Sequence, residues 1–390
     1  MFTGVAIAAS YEVPPTRFPD VNPHNLYRQV AIGALREWGL RPSDVNGLLA
    51  VPSGQGVGAI DIYTHEKLGA ELGLQPGFAE TLNAGGASFA IMVGRAASAI
   101  RDGLADCVLC IGTGKFTKPG AGGAEVMARM ISEPDFEIGY GPFVPALYAL
   151  IASRFMAERG ATPADLARVA VSARQWALRN PRALMHRKGA ITVEDVLNSR
   201  MIATPYHYLD CSVPCDGGGA VLVATAEKAR QLNPQPAYLL GYGEAHSHGS
   251  LSSAGDRLID TVAARTGADA FRRSGLSRRD IDLAMLYDAF SVTPLILLEN
   301  LGFCEPGRAG AFVQSGAIDP GGCLPVNTNG GLLSFGHTGE ASGMSLIVEA
   351  ARQVMGQAGE NQLQRADTAL VHAYGGMMYE HATLILGRSL

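Results

Sequence analysis

A long internal repeat limits the folds that this chain can adopt. In the first copy, a helical pattern ends at Gly39, a short turn supplies Asp44, and an apolar strand follows. The second copy has the same order, with Gly275, Asp280 and an apolar strand that leads to Tyr287. Glycine suits the left-handed position after a helix, and a continuously apolar strand suits a sheet that is covered on both faces. The repeat therefore predicts two copies of one α/β unit.

A second pair of segments supports the same repeat. Small residues at 85–88 open a helix that is followed by the strand 106–111, and residues 339–342 open a helix that is followed by the strand 368–372. Strands that alternate with helices favour mainly parallel sheets. We therefore predict two duplicated βαβ-rich halves in a layered α/β arrangement with a pseudo-twofold axis.

A region without a repeat partner, about 116–201, interrupts the first half. It contains a helix that ends at Gly160 and a second helix that Thr162 caps. The predicted division is an N-terminal half at 1–235, which includes this inserted loop domain, and a C-terminal half at 236–390. Insertions of this size usually carry specificity, and we expect this one to cover a substrate.

Composition excludes several classes of protein. Of the 390 residues, 47% are hydrophobic and 17% are charged, which excludes global disorder. The formal net charge is −5 with no long basic block, so nothing indicates a nucleic-acid-binding surface. No apolar stretch approaches the roughly 18 residues that a membrane span needs. The first ten residues favour an opening strand over a signal peptide, which predicts a cytoplasmic protein.

The six cysteines do not suggest a metal site. Cys107 and Cys110 have a spacing that could indicate zinc or a redox pair, but they lie in an apolar strand pattern, which favours buried structural thiols. Cys211 and Cys215 have no matching second pair, so a four-ligand zinc site is not expected.

Several motifs in a fixed order resemble the thiolase superfamily, and in particular its sterol-carrier-protein type. They are found at 156–170, at 180–196, in the Asp-Gly-rich turn at 216–220, and in the histidine motif at 325–343. The resemblance covers essentially the whole chain, and it implies a thiolase-like fold.

Both cysteines of the thiolase reaction are missing from the matching positions. The resemblance places the nucleophile at the N-terminus of a buried helix, where this chain has Gly86, and the proton-shuttling cysteine where it has Ala373. Neither side chain can form an acyl-enzyme or move a proton. The acyl transfer of ordinary thiolases is therefore not expected.

Other residues at the family's active-site positions could still support catalysis. His337 keeps the family's position, and the backbone N–H groups of Gly86 and Gly375 could form an oxyanion hole for a thioester oxygen. Tyr287 stands where the related group has a catalytic histidine, and its hydroxyl could relay a proton. The alternatives are a hydrogen-bonded core histidine and a packed tyrosine at a strand end.

Other candidates have weaker support. Asp288 is predicted to fix a loop by accepting backbone N–H bonds. Tyr374, beside the second lost cysteine, either faces the site or packs. Ser88 is the nearest substitute nucleophile, but it has no adjacent base in the sequence. His372 and His381 are predicted to pack in the closing strands.

An enolate-stabilising pocket without a nucleophile suggests aldol chemistry. The chain is similar to thiolase-like steroid side-chain aldolases, although that group can carry a second tyrosine where this chain has His337. The resemblance implies retro-aldol cleavage of a β-hydroxyacyl-CoA, in lipid or steroid degradation, with glycine at position 86 clearing room for a tertiary alcohol. Two alternatives stay open, which are an acyltransferase with another nucleophile and a non-catalytic scaffold subunit.

The resemblance also implies partners. Thiolases pair through the N-terminal half, so a homodimer is expected. The cysteine-free aldolases work with a small zinc-ribbon/OB-fold protein, and such a partner is expected here. Coenzyme A would enter as part of the substrate, with no permanently bound cofactor.

Overall fold

The structure of the chain is a computed structural model that describes residues 4–58, 60–116 and 122–390, apart from the side chain of Glu340. Residues 1–3 of the expected opening strand and residues 117–121 of the expected insertion therefore lie outside the described residues. The strands are β1 (Val5–Thr16), β2 (Gly47–Ala50), β3 (Phe78–Thr81), β4 (Cys107–Gly114), β5 (Met201–Ala203), β6 (Tyr206–His207), β7 (Asp216–Thr225), β8 (Ala237–His246), β9 (Leu283–Leu286), β10 (Thr368–Gly375) and β11 (Glu380–Gly387).

The α-helices alternate with these strands in both halves and fill the insertion. They are α1 (Pro23–Glu37), α2 (Thr64–Leu72), α3 (Ser88–Arg101), α4 (Gly123–Ile131), α5 (Val144–Arg159), α6 (Pro163–Ala177), α7 (Val193–Leu197), α8 (Ala226–Leu232), α9 (Ala263–Ser274), α10 (Val292–Asn300), α11 (Ala309–Gln314) and α12 (Ser342–Met355). The predicted boundary after residue 235 falls between α8 and β8, and the division into domains stays a prediction.

The internal repeat is confirmed element by element. Gly39 follows α1 with a φ of 67°, and Gly275 follows α9 with a φ of 73°, both in the left-handed region that glycine tolerates. The strands β2 and β9 come next in the chain, and α3 and α12 are each followed by a buried strand, β4 and β10.

The prediction of mainly parallel sheets is wrong. One nine-stranded sheet has the order β3-β2-β4-β7-β1-β8-β11-β10-β9. Only β2–β3, β2–β4 and β9–β10 are parallel, while β7 and β11 pair with their neighbours in the antiparallel sense. β11 follows β10 through a short turn with no crossover helix, which makes that pair antiparallel, whereas β7 returns beside β4 only after the whole insertion. Strands buried on both faces have the same apolar pattern in either direction.

Two central helices join the halves. α3 and α12 pack against each other, and each contacts strands of both halves. Most of their side chains are buried, including Phe89 and Met92 of α3 and Leu346 and Ile347 of α12. α1 and α9 each pack on their own half. This arrangement of helices and sheet is layered, as the repeat predicts.

The insertion folds as helices against the second half. Thr162 caps α6, as predicted, and forms a capping box with Asp165, while α5 ends at Gly160. Tyr148 of α5 donates a hydrogen bond of 2.8 Å to the carbonyl of Gly376, so the insertion reaches the end of β10. Among the helices of the described residues, none combines the length and the apolar character that crossing a membrane requires.

Candidate active site

The candidate site lies where three chain segments meet. The loop that carries Gly86 follows β3 and precedes α3, Tyr287 follows β9, and Gly375 ends β10. These strands run parallel to a neighbour, and the carboxyl ends of such strands are the usual place for a site in an α/β sheet. One segment comes from the first half and two come from the second.

The ring of Tyr287 occupies the space beside Gly86. A Cβ atom on Gly86 would lie 2.4 Å from Cζ of Tyr287 and 2.5 Å from the carbonyl oxygen of Tyr374, far inside van der Waals contact. The expectation that glycine at position 86 clears room for a tertiary alcohol is therefore wrong for this structure. The space beside Gly86 is filled by the aromatic ring of Tyr287.

The Tyr287 hydroxyl and the His337 ring face each other. The hydroxyl oxygen lies 3.3 Å from Nε2 of His337, and the rings meet edge to face with centroids 6.1 Å apart. Nδ1 of His337 accepts the backbone N–H of Gly339 at 3.3 Å. A neutral ring with an accepting Nδ1 carries its proton on Nε2, so we assign His337 as the donor and the Tyr287 oxygen as the acceptor.

The protonation of His337 gives a testable pH dependence. Burial disfavours the charged ring and lowers the pKa of His337 to about 4. The ring is then neutral at neutral pH, and protonation as the pH falls toward that pKa disturbs its contact with Gly339. We expect kcat/KM to show no inflection near pH ~6.5, where a free histidine titrates, and to show the inflection that His337 causes only near pH ~4.

The measurement is a pH–rate profile of the wild type and of His337→Gln. Glutamine keeps a donor but cannot be protonated in this range, so the acid limb should be missing from the variant. A limb near pH ~6.5 in the wild type that the variant lacks would contradict the neutral assignment.

The backbone of the loop at Gly85 and Gly86 lies very close to the backbone of Gly375 at the end of β10. A Cβ on Gly375 would lie 1.9 Å from the carbonyl oxygen of Ala84, and a Cβ on Gly85 would lie 3.0 Å from Cα of Gly375. Gly85 also has a φ of 54°. Both positions exclude a larger residue, and this contact brings the Gly86 loop against the end of β10, which the oxyanion-hole hypothesis requires.

Asp288 binds backbone N–H groups of the segment that leads to His337. Its carboxylate accepts the N–H of Leu332 at 2.7 Å and that of Leu333 at 3.5 Å, which fixes the turn that precedes His337. Complete burial raises the pKa of Asp288 to about 7. This contact is of the kind predicted for Asp288, and it gives the carboxylate a structural task.

Ser88 is already engaged in the loop before α3. Its hydroxyl donates to the carbonyl of Gly85 at 2.6 Å and accepts the N–H of Ala84 at 2.9 Å. The side chain is completely buried. These two bonds hold the loop that carries Gly86, so Ser88 acts on the site through the backbone.

Tyr374 packs beneath Tyr287. The rings of Tyr374 and Tyr287 meet edge to face with centroids 5.0 Å apart, and the centroid of the Tyr148 ring lies 6.3 Å from that of Tyr374. Burial raises the pKa of Tyr374. Tyr374 therefore lies next to Tyr287 and limits where that ring can go.

An apolar groove opens beside His337. The ring of Phe116 lies 5.5 Å from that of His337 and forms one wall of the groove. The other side chains that line it are Gln55, Val57, Val126, Met127 and Met130. Gln55 also accepts a hydrogen bond from Asn83 at 3.2 Å, so the groove borders the Gly86 loop.

Sequence reasoning missed two residues at this site. Tyr148 lies in the insertion, and no motif distinguishes it from other tyrosines, although its position in a region predicted to cover the substrate was a signal. Phe116 is the first residue of that insertion. The sequence therefore identified its segment but did not predict its contact with His337.

Comparisons with known proteins agree with this geometry. A family described as Thiolase C-terminal domain-like matches residues 243–388. The chain is 31% identical over 359 residues to an acetyl-CoA acetyltransferase of Methanothermobacter thermautotrophicus, covering 92% of each chain. It is 35% identical over 379 residues to a steroid side-chain-cleaving aldolase of Thermomonospora curvata, covering 92% of this chain and 91% of that relative.

A solved structure points in the same direction. The structure named Ltp2-ChsH2(DUF35) aldolase superimposes with a TM-score of 0.84 at 31% sequence identity. The match covers 100% of this chain and 99% of the other.

Proposed function

Since this chain belongs to the thiolase superfamily, we propose that it uses the enolate chemistry of that superfamily without the cysteine, in a retro-aldol cleavage of a β-hydroxyacyl-CoA. The observation that carries the proposal is the position of Tyr287. Its ring stands in the space that a nucleophile at position 86 would need, and its hydroxyl lies 3.3 Å from Nε2 of His337. A proton-transfer group thus stands where a covalent catalyst would have been.

The proposed reaction starts at the β-hydroxyl of the substrate. Tyr287, as the phenolate, takes the hydroxyl proton while the oxygen forms a ketone and the Cα–Cβ bond breaks. The electron pair of that bond becomes the enolate of the CoA thioester, and Tyr287 returns the proton to Cα. The products are a ketone and a shorter acyl-CoA, with no net change of protons.

His337 and two backbone groups stabilise the charges in this scheme. The Nε2–H of His337 donates to the Tyr287 oxygen and favours its anionic form. The N–H groups of Gly86 and Gly375 are the proposed donors to the enolate oxygen, where they would contribute most in the transition state. Tyr287 is thus the acid and base, and His337 assists it.

The proposed substrate carries a bulky apolar acyl group on coenzyme A. The apolar groove that begins at Phe116 supports this choice, because it adjoins His337 and, among the residues that the structure describes, Gln55 is the one polar side chain in its lining. The relative of Thermomonospora curvata is named for steroid side-chain cleavage, so a steroid side-chain thioester is the first compound to test.

The test is mass spectrometry of the purified protein with a β-hydroxyacyl-CoA that bears a tertiary alcohol. We expect a ketone together with acetyl-CoA or propionyl-CoA. Acetyl-CoA formed from a 3-ketoacyl-CoA and free coenzyme A would instead indicate thiolysis. Neither product with any substrate, together with tight association with a cysteine-containing homologue, would favour the scaffold subunit.

The aldolase and acyltransferase proposals predict different covalent states. The Ser88 hydroxyl already bonds to Gly85 and Ala84, so it should not attack a thioester. We expect the intact mass of the protein to stay unchanged after incubation with substrate and rapid acid quench. An added acyl mass that maps to the peptide with Ser88, and that Ser88→Ala lacks, would favour acyl transfer.

The proposed assembly includes a small zinc-ribbon/OB-fold protein. The solved structure with TM-score 0.84 is named as a complex with a DUF35 component, which supports such a partner here. The cleavage assay should therefore be run with and without the partner, and activity that requires it would support this assembly. The cytoplasmic location stays a prediction.

A homodimer is proposed through the edge strand β3. In the described part of the chain, β3 (Phe78–Thr81) pairs on one side only, with β2, which leaves its other edge for a twofold copy. Light scattering after size exclusion should give a mass twice the 40.9 kDa of one chain. A mass equal to that of one chain would exclude the dimer at the concentration used.

A further inference from the structure

A turn after β10 has every carbonyl oxygen engaged in a hydrogen bond. We call residues 375–379 the glycine turn, since it begins with the Gly375 whose N–H is the proposed oxyanion donor. The carbonyl of Gly375 accepts the N–H of Tyr379 at 3.0 Å. The carbonyl of Tyr379 accepts the N–H of Ser247 at 3.0 Å.

Three side chains bind the carbonyls between them. The Tyr148 hydroxyl donates to Gly376 at 2.8 Å. Nε2 of His248 lies 3.2 Å from the carbonyl of Met377, and Nε2 of His381 lies 3.0 Å from the carbonyl of Met378. These side chains come from α5, from the segment after β8 and from β11, so three separate parts of the fold hold one turn.

The chemistry of a carbonyl fixes the protons on these histidines. A carbonyl oxygen only accepts, so Nε2 of His248 and of His381 must each carry a proton. Nδ1 of His381 then accepts from Nε2 of His372 at 3.0 Å, and Nδ1 of His372 faces the Thr383 hydroxyl at 2.8 Å. Burial lowers the pKa of His381 to about 3, which is consistent with a neutral donor.

The glycine turn needs such external contacts. Met378 has a φ of 62° and Gly376 a φ of 56°, both in the left-handed region. That conformation is uncommon for a residue with a side chain, and it persists where the surroundings hold it. The turn therefore does not owe its shape to local preference alone.

We propose that His248, His381 and Tyr148 are positioning residues that hold the glycine turn so that the N–H of Gly375 meets the thioester oxygen. The proposal rests on the proposed function, since it assigns these side chains to the same oxyanion site. They act through backbone carbonyls and do not touch the substrate. Their loss should reduce transition-state stabilisation more than substrate binding.

The test compares leucine and glutamine at the two histidine positions. Leucine removes the donor, while the glutamine amide can still donate to the carbonyl. We expect His248→Leu and His381→Leu to lower kcat about 10- to 100-fold with KM changed less than about threefold, because a displaced oxyanion donor acts mainly in the transition state. Glutamine should restore kcat to within about threefold of the wild type.

Tyr27→Phe is the matched control. It removes two buried hydrogen bonds outside the glycine turn, which the Tyr27 hydroxyl donates to the carbonyl of Val51 at 2.6 Å and accepts from the N–H of Val51 at 3.2 Å. It should lower the melting temperature and leave kcat unchanged. Leucine variants that lose melting temperature but keep kcat would overturn the positioning role, as would glutamine variants that melt like the wild type yet stay as slow as leucine.

Amide hydrogen exchange separates this proposal from the proposed function. We expect faster exchange of the peptide that contains residues 375–380 in both leucine variants, and normal exchange in Tyr27→Phe. This readout does not need catalysis. If the wild type cleaves no thioester, the proposed function fails, while unchanged exchange in the leucine variants would by itself refute the contact network.

Discussion

Tyr287→Phe will lower kcat for cleavage of a β-hydroxyacyl-CoA by about 10²- to 10⁴-fold, the usual contribution of a positioned acid or base. The change removes only the hydroxyl oxygen, which lies 3.3 Å from Nε2 of His337. The phenylalanine ring still fills the space beside Gly86, so the fold and the pocket keep their shape. The measurement is kcat and KM with the thioester, together with the melting temperature.

Tyr206→Phe is the control for this change. The Tyr206 hydroxyl donates to the carbonyl of Tyr148 at 3.3 Å, and its ring stacks on Phe290 with centroids 5.1 Å apart. It is a buried tyrosine close to the site without a role in the proposed reaction, and it should keep kcat within about threefold. Equal losses in both variants would show that Tyr287 supports packing, and a Tyr287→Phe enzyme of full activity would remove it from the chemistry.

Much of the fold could be predicted because the decisive features are local and occur twice. Gly39 and Gly275 end equivalent helices, and the strands after them are too apolar to lie anywhere but in a covered sheet. Strand direction could not be predicted in the same way. β7 and β11 are buried and apolar like the parallel strands, and their partners are fixed by tertiary packing that no local pattern encodes.

In the candidate site, too, the local features could be predicted from the sequence and the tertiary contacts could not. The missing cysteines and the positions of Tyr287 and His337 follow from motifs that can be read residue by residue. The mutual geometry does not, because Tyr287 and Gly86 are distant in the chain and meet only after both halves have folded. The carbonyl contacts of His248 and His381 are also outside the reach of sequence reasoning, which gave His381 a packing role.

The contact between Gly86 and Tyr287 therefore explains two departures from the thiolase pattern as one event. A side chain at position 86 and a tyrosine ring at position 287 compete for the same volume. A cysteine at position 86 would overlap the Tyr287 ring and the carbonyl oxygen of Tyr374 as they stand here, and glycine fits beside both. Loss of the nucleophile and gain of the proton-transfer group are then coupled by packing, which a double-mutant comparison can detect.

Gly86→Ala will destabilise the fold by about 1–3 kcal/mol and lower kcat at least 10²-fold, because the new methyl group overlaps the Tyr287 ring and forces its hydroxyl away from His337. Denaturant unfolding and the thioester assay measure the two effects. Gly139→Ala is the matched control, since a Cβ there meets nothing within 4 Å. In the background Tyr287→Ala, which removes the ring, Gly86→Ala should cost less stability than in the wild type. An equal cost in both backgrounds would show that the clash is with the Tyr374 carbonyl instead, and full stability and activity of Gly86→Ala would show that the ring lies elsewhere.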